Sequence, residues 1–327
     1  MRDLIRSQLW MVSYAKKTGM ERPDIQGKVY PGFGRCIYCG SNGGDRGLGD
    51  EHIIPFSLGG NAVIRQASCS DCEAKTSYID GYLARAIFGQ FRVLTGIQTR
   101  NPRQRPRTFG AVLKINNNII EERSIPREDH PLFLMTPIMP LPGILRGELP
   151  SQEFPGTTVT LHYGLHDNMH ERLNIDPKYR IQMKVDTNIN LPTIGRALAK
   201  IAYCNAVALF GLDGFRHLVL PQIICGTYPY VAHYVGGDGA ARLPPPDRSG
   251  AVHLLDFGAV QTGRLQLLVA SIRLFSYYHA DPEQGQPIYK VVVGAPRKNA
   301  PVFSGSGRNA GEGLYSAAAF FGERGPG

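Results

Sequence analysis

Four of the chain's six cysteines stand in two pairs, Cys36-x-x-Cys39 and Cys69-x-x-Cys72, with 29 residues between them. Two such pairs supply four thiolates, and four thiolates at ~2.3 Å close a tetrahedral zinc site. A site closed by four ligands has no open position for a substrate, so its expected role is structural. Between the pairs lies Glu51-His52 in the run "DEHIIPFSLGGN". A neutral imidazole with an ordinary pKa of ~6.5 can take a proton from an attacking water. A carboxylate or two can hold a hard divalent cation, Mg2+ or Mn2+, which stabilises developing charge on a phosphorus centre and its leaving oxygen. His52 is the only histidine before residue 130, so a general base in this part of the chain would be His52. The other reading of His52 is a structural residue capping a loop. On a regular strand neighbouring side chains point to opposite faces, so Glu51 and His52 need an irregular strand end to converge.

The surroundings must supply scaffold and charge. The chain has 327 residues, a formal net charge of +9, 38 Gly and 24 Pro, a composition that favours short elements and many turns. No apolar run approaches the ~20 residues of a membrane span, and the first residues lack the pattern of a signal peptide. The expectation is therefore a cytoplasmic protein without membrane association, in which paired cysteines bind metal in preference to forming disulfides. From Gly81 to Ile120 there is no Asp or Glu, while Arg85, Arg92, Arg100, Arg103, Arg105, Arg107 and Lys114 give seven positive charges. Arginine dominates this stretch, which suits forked phosphate contacts. Beside a metal site the run points to nucleic acid, although an isolated basic run is more often a solvated loop.

The elements follow from periodicity. Residues 1–30 read as a leader and 31–72 as turns and short strands. From Glu73, apolar residues from Ile79 to Leu94 recur at steps of three and four, predicting an amphipathic helix that stops near Gly96. "TRNPRQRPR" (99–107) reads as an extended basic connector, closing a module over 31–110. Residues 111–300 read as a second, larger α+β domain. Its "IGRALAKIAYCNAVALFG" (194–211) is a helix, and "VHLLDFGAV", "RLQLLVASIRLF" and "IYKVVVGA" are three strands of an antiparallel sheet. Residues 301–327 read as a Gly-rich tail. Cys204 and Cys225 stand alone in apolar contexts, as core thiols. His162, His166 and His170 are spaced four apart, but Gly164 and the strand-like lead-in argue against a helical metal site.

The order Cys-x-x-Cys, acidic-His-Ile-Ile-Pro, Leu-Gly-Gly, Cys-x-x-Cys resembles the HNH endonuclease family, in the subset whose ββα-metal core is braced by a four-cysteine zinc. The resemblance covers about residues 36–100. It implies an α+β protein with an N-terminal treble-clef-like ββα-metal module, and hydrolysis of nucleic-acid phosphodiester bonds, double-stranded DNA first. It assigns Cys36, Cys39, Cys69 and Cys72 to structural Zn2+, His52 to the general base and Glu51 to a catalytic Mg2+ or Mn2+. The family's last metal ligand, His or Asn directly after the second knuckle, is here Glu73, a carboxylate that could hold the cation or complement a helix dipole. Asn61, after Gly59-Gly60, is the candidate for the family's middle Asn, which holds the hairpin loop, although it sits closer to the histidine than the family's commonest spacing; it also suits a plain turn. Arg85, Arg92, Arg100, Arg103, Arg105 and Arg107 are then expected against phosphates. The alternative function is a catalytically inactive zinc module that binds nucleic acid or a protein partner.

Overall fold

A computed structural model of the chain describes residues 28–97, 101–115, 119–164, 168–184, 189–238, 252–276, 287–297 and 319–321. The expected leader (to residue 27), Arg100, His166 and nearly all of the tail lie outside these residues. Among the described residues no helix is long and apolar enough to cross a membrane.

The N-terminal part is a small three-stranded sheet backed by a helix. Strand β1 (Val29–Tyr30) runs parallel to β3 (Val63–Ser68), and β2 (Gly49–His52) pairs antiparallel with β3 on its other side. The last two residues of the expected leader thus belong to the module's sheet. Helix α1 (Ser70–Tyr82) begins directly at the second knuckle, with Cys69 in extended conformation as its N-cap. The apolar period from Ile79 continues through one π-helical turn (Leu83–Ile87) into α2 (Gly89–Leu94). The run stops where Gly96 takes φ +73°, near where the sequence places the end. The basic connector is not wholly extended. Pro102–Gln104 form a 3-10 turn, and the guanidinium of Arg105 folds back onto the Ile97 carbonyl.

Beyond it, β4 (Thr108–Ile115) pairs antiparallel with β5 (Ile119–Pro126), and β6 (Leu132–Ile138) with β7 (Thr158–Gly164). The short helix α3 (Met169–Arg172) leads to β8 (Ile181–Lys184), which joins the other edge of β4. Helix α4 (Leu191–Phe210) starts on the Asn190 side chain, which accepts from the Thr193 N–H at 2.9 Å, and ends at Gly211 with φ +76°. It is apolar nearly all round, the pattern of a helix buried on every side. Strand β9 (Phe215–His217), helices α5 (Leu220–Cys225) and α6 (Val231–Tyr234) and strand β10 (Val235–Gly237) follow. The three expected strands appear as β11 (His253–Thr262), β12 (Leu265–Arg273) and β13 (Tyr289–Pro296), paired antiparallel as the sequence predicts. They form a six-stranded sheet with β9, β10 and β14 (Ala319–Phe321). The fold class is α+β.

The core does not divide at residue 110. One apolar cluster joins Ile37, Ile53, Ile64, Ile79 and Phe91 of the N-terminal part to Leu198, Ala202, Phe215, Ile272 and Val291. Helix α4 lies at its centre.

Candidate nuclease site

The four knuckle cysteines converge: their sulfur atoms all lie within 4.8 Å of one another, with Cys39 and Cys69 Sγ at 3.6 Å. Four thiolates around a ~2.3 Å metal would sit ~3.8 Å apart, so this set fits a tetrahedral ion with little adjustment. Burial pushes the Cys69 thiol up, but the Cys72 backbone N–H and neighbouring thiols outweigh it and hold it below the usual range. Its place at the N-terminus of α1 favours a thiolate for the same reason. Cys225, expected as an isolated core thiol, is half-buried with its sulfur 3.8 Å from Cys72 Sγ. Cys204 is a core thiol, in contact with the Tyr38 hydroxyl at 3.1 Å.

Strand β2 carries Asp50, Glu51 and His52 with alternating burial. Glu51 is 5% exposed and faces inward. Its Oε1 lies 3.0 Å from Lys200 Nζ, and its Oε2 accepts from the Thr76 hydroxyl at 3.1 Å. Lys200, on α4, is fully buried; its ammonium also donates to Asp80 Oδ2 at 2.9 Å and to the His52 carbonyl at 2.6 Å. Burial disfavours the charged lysine, but Asp80 and Glu51 more than reverse this, and its pKa is raised. Asp80 is raised chiefly by burial, against the pull of Lys200.

His52 is half-buried and edge-on to Phe56, ring centroids 6.0 Å apart. The register with β3 is regular at Glu51 and His52, and strand alternation places the two on opposite faces of β2. The irregularity lies one residue earlier. Between Gly49 and Glu51 the register with β3 shifts, and Gln66 takes φ +45°. Asp50 secures this bulge by accepting from the Gln66 N–H at 3.0 Å and pairing with Arg65. Asp50, exposed and electrostatically coupled to His52, is the carboxylate on the histidine's side of the strand.

Glu73 is exposed in the first turn of α1; a side chain at Gly49 would come 3.0 Å from its Oε2. Asn61 is half-buried in the turn before β3, whose closure is marked by the Ile53 N–H donating to the Ala62 carbonyl at 3.0 Å. Among the described residues, the four cysteines are the one group of three or more His, Cys, Asp or Glu side chains drawn together tightly enough to hold a metal ion.

Arg85, in the π turn, and Arg105, on the connector, both lie in the electrostatic neighbourhood of Arg92. Burial lowers the pKa of Arg92, and the neighbouring Arg105 and Arg85 cations lower it further. Arg92 Nε is buried without a hydrogen-bond partner among the described residues. Ile97, whose carbonyl Arg105 grips, lies beside Gly59 in the loop that follows His52. Arg103 and Arg107 are exposed on the connector.

Lys200, Asp80, Asp50 and Cys225 escape a reading of the motif. Only Asp50 carried a local signal, its position two residues before His52 on an alternating strand; the others arrive through contacts across the fold.

No curated protein and no solved structure matches the chain. Residues 36–87, from the first knuckle through the end of the π turn, match the family model described as HNH endonuclease, and the rest of the chain lies outside that match.

Proposed function

We propose that this protein is an endonuclease of the HNH type, hydrolysing nucleic-acid phosphodiester bonds with His52 as general base. The observation that carries the reading is the position of His52: on the less buried face of β2, inside the segment that matches the family. An imidazole there takes the proton of a water attacking phosphorus. Arg85, Arg92 and Arg105 would bind backbone phosphates, because an anion relieves the mutual repulsion of three clustered guanidiniums. Arg103 and Arg107 would extend that grip along a double-stranded DNA substrate. The four cysteines would hold Zn2+ as a structural ion that fixes both ends of the segment around β2.

A divalent cation in such chemistry supplies positive charge at the transferring phosphorus. Of the two carboxylates expected to hold it, Glu73 presents an exposed group. Glu51 does not fit, because both of its oxygens are engaged inside the fold and one is already neutralised by Lys200. The test is a nicking assay on double-stranded DNA, single-stranded DNA and RNA, with Mg2+ or Mn2+ and with chelator, beside His52→Ala. Cleavage that is lost in His52→Ala supports the reading. Nucleic-acid binding with no cleavage of any substrate would favour the second reading, an inactive zinc module, which the engagement of Glu51 supports.

A further inference from the structure

The ammonium of Lys200 has three hydrogens and meets three oxygens: Glu51 Oε1 at 3.0 Å, Asp80 Oδ2 at 2.9 Å and the His52 carbonyl at 2.6 Å. These belong to β2 and α1, whereas Lys200 is 148 positions from His52 on α4 and 0% exposed. Two carboxylates and a backbone carbonyl are also the donor set of a hard cation. We infer that Lys200 fills this oxygen cage in place of a divalent ion and acts as a positioning residue for His52, so that Glu51 serves to hold the ammonium.

The second oxygen of Glu51 takes the Thr76 hydroxyl at 3.1 Å, so both oxygens of the carboxylate are engaged inside the fold. A dication on Glu51 would share its carboxylate with a buried ammonium and be repelled by it. The ammonium also grips the main chain of His52 itself, so the root of the imidazole is set by a contact from α4. The remaining oxygen of Asp80, Oδ1, is buried without a hydrogen-bond partner among the described residues, and completes a cage richer in oxygen than one ammonium needs.

The positioning role rests on the nuclease reading; the filling of the cage does not. Mn2+ binding to the full chain, followed by electron paramagnetic resonance, tests the cage. Glu51→Gln is expected to leave the Mn2+ affinity of the native protein unchanged within twofold, and Lys200→Ala to gain one Mn2+ per chain, lost again in Lys200→Ala/Glu51→Gln. A tenfold loss of Mn2+ affinity in Glu51→Gln alone would overturn the inference, and this arm stands if Lys200→Ala fails to fold. For positioning, Lys200→Gln should lower kcat at least tenfold while KM and the affinity for an uncleavable oligonucleotide stay within twofold. Unchanged kcat in that variant would overturn the role. If the native protein cleaves nothing, the nuclease reading falls and the Mn2+ measurements still decide the cage.

Discussion

At the scale of single residues, the two members of Glu51-His52 take different work. Period-two alternation already implied opposite faces, and the burial along Asp50, Glu51 and His52 follows it. The partner of Glu51 was not legible. Nothing in the local sequence marks Lys200, a charged residue in the middle of an apolar helix, as the counter-ion of a strand 149 positions earlier. Removing one partner of a buried ion pair is costly because the other charge is left unpaired. Glu51→Ala should therefore lower unfolding stability by ~3 kcal/mol, read as a shift of the denaturation midpoint, and Glu51→Gln by clearly less. Equal, small losses in both would show that the pair carries no such burden. His253 offers a second residue-level check. It is fully buried, with Nε2 2.7 Å from the Leu58 carbonyl and Nδ1 accepting from the Phe275 N–H at 3.2 Å. Burial pushes its pKa down from 6.5 to about 4 despite the Leu58 bond. A depressed histidine contributes stability that is complete above the unfolded value and lost as pH falls through the folded one. Stability should thus decline by about 3 kcal/mol between pH 6.5 and 4, and His253→Gln should flatten that slope.

At the scale of elements, the knuckles, the second helix and the charge run were readable because each is a local pattern. The helix begins three residues earlier than periodicity places it, since Cys69 ends β3's extended run and caps α1 directly. The π turn at Leu83–Ile87 left no mark, because one extra residue barely disturbs an apolar repeat. Arg85, within that turn, lies in the electrostatic neighbourhood of Arg92. Exposed arginines on phosphates make binding fall with salt, each contact adding ~0.9 to the slope of log K against log salt on duplex DNA. Replacing Arg103 and Arg107 together by Ala should lower that slope by roughly 1 to 2, at equal zinc content. A slope that does not move would remove the connector from the interface. The knuckle itself reaches further than its motif: Cys225, from α5, touches Cys72 at 3.8 Å. Cys225→Ser should retain one bound metal per chain, as four knuckle thiolates already close the site.

At the scale of the whole molecule, length and composition gave a two-part reading, and the packing is more continuous. Tyr203 donates to the Ile37 carbonyl at 2.7 Å, Tyr38 meets Cys204, and Lys200 meets β2, all from α4 onto the N-terminal module. Contacts separated by 148 to 195 positions leave no trace in periodicity, which is why the α+β class was legible and the joining of its parts was not. Because α4 packs directly behind the first knuckle, stripping the metal should lower the midpoint of one cooperative transition instead of melting the N-terminal part alone. Two separate transitions would contradict this. The decisive measurement is cleavage of plasmid DNA and RNA by the intact chain and by His52→Ala, with metal content determined on both. The expected result is cleavage by the native protein, at least a hundredfold slower in His52→Ala, with the same metal stoichiometry. Full cleavage by His52→Ala at equal metal content would contradict the assignment of His52 as the base.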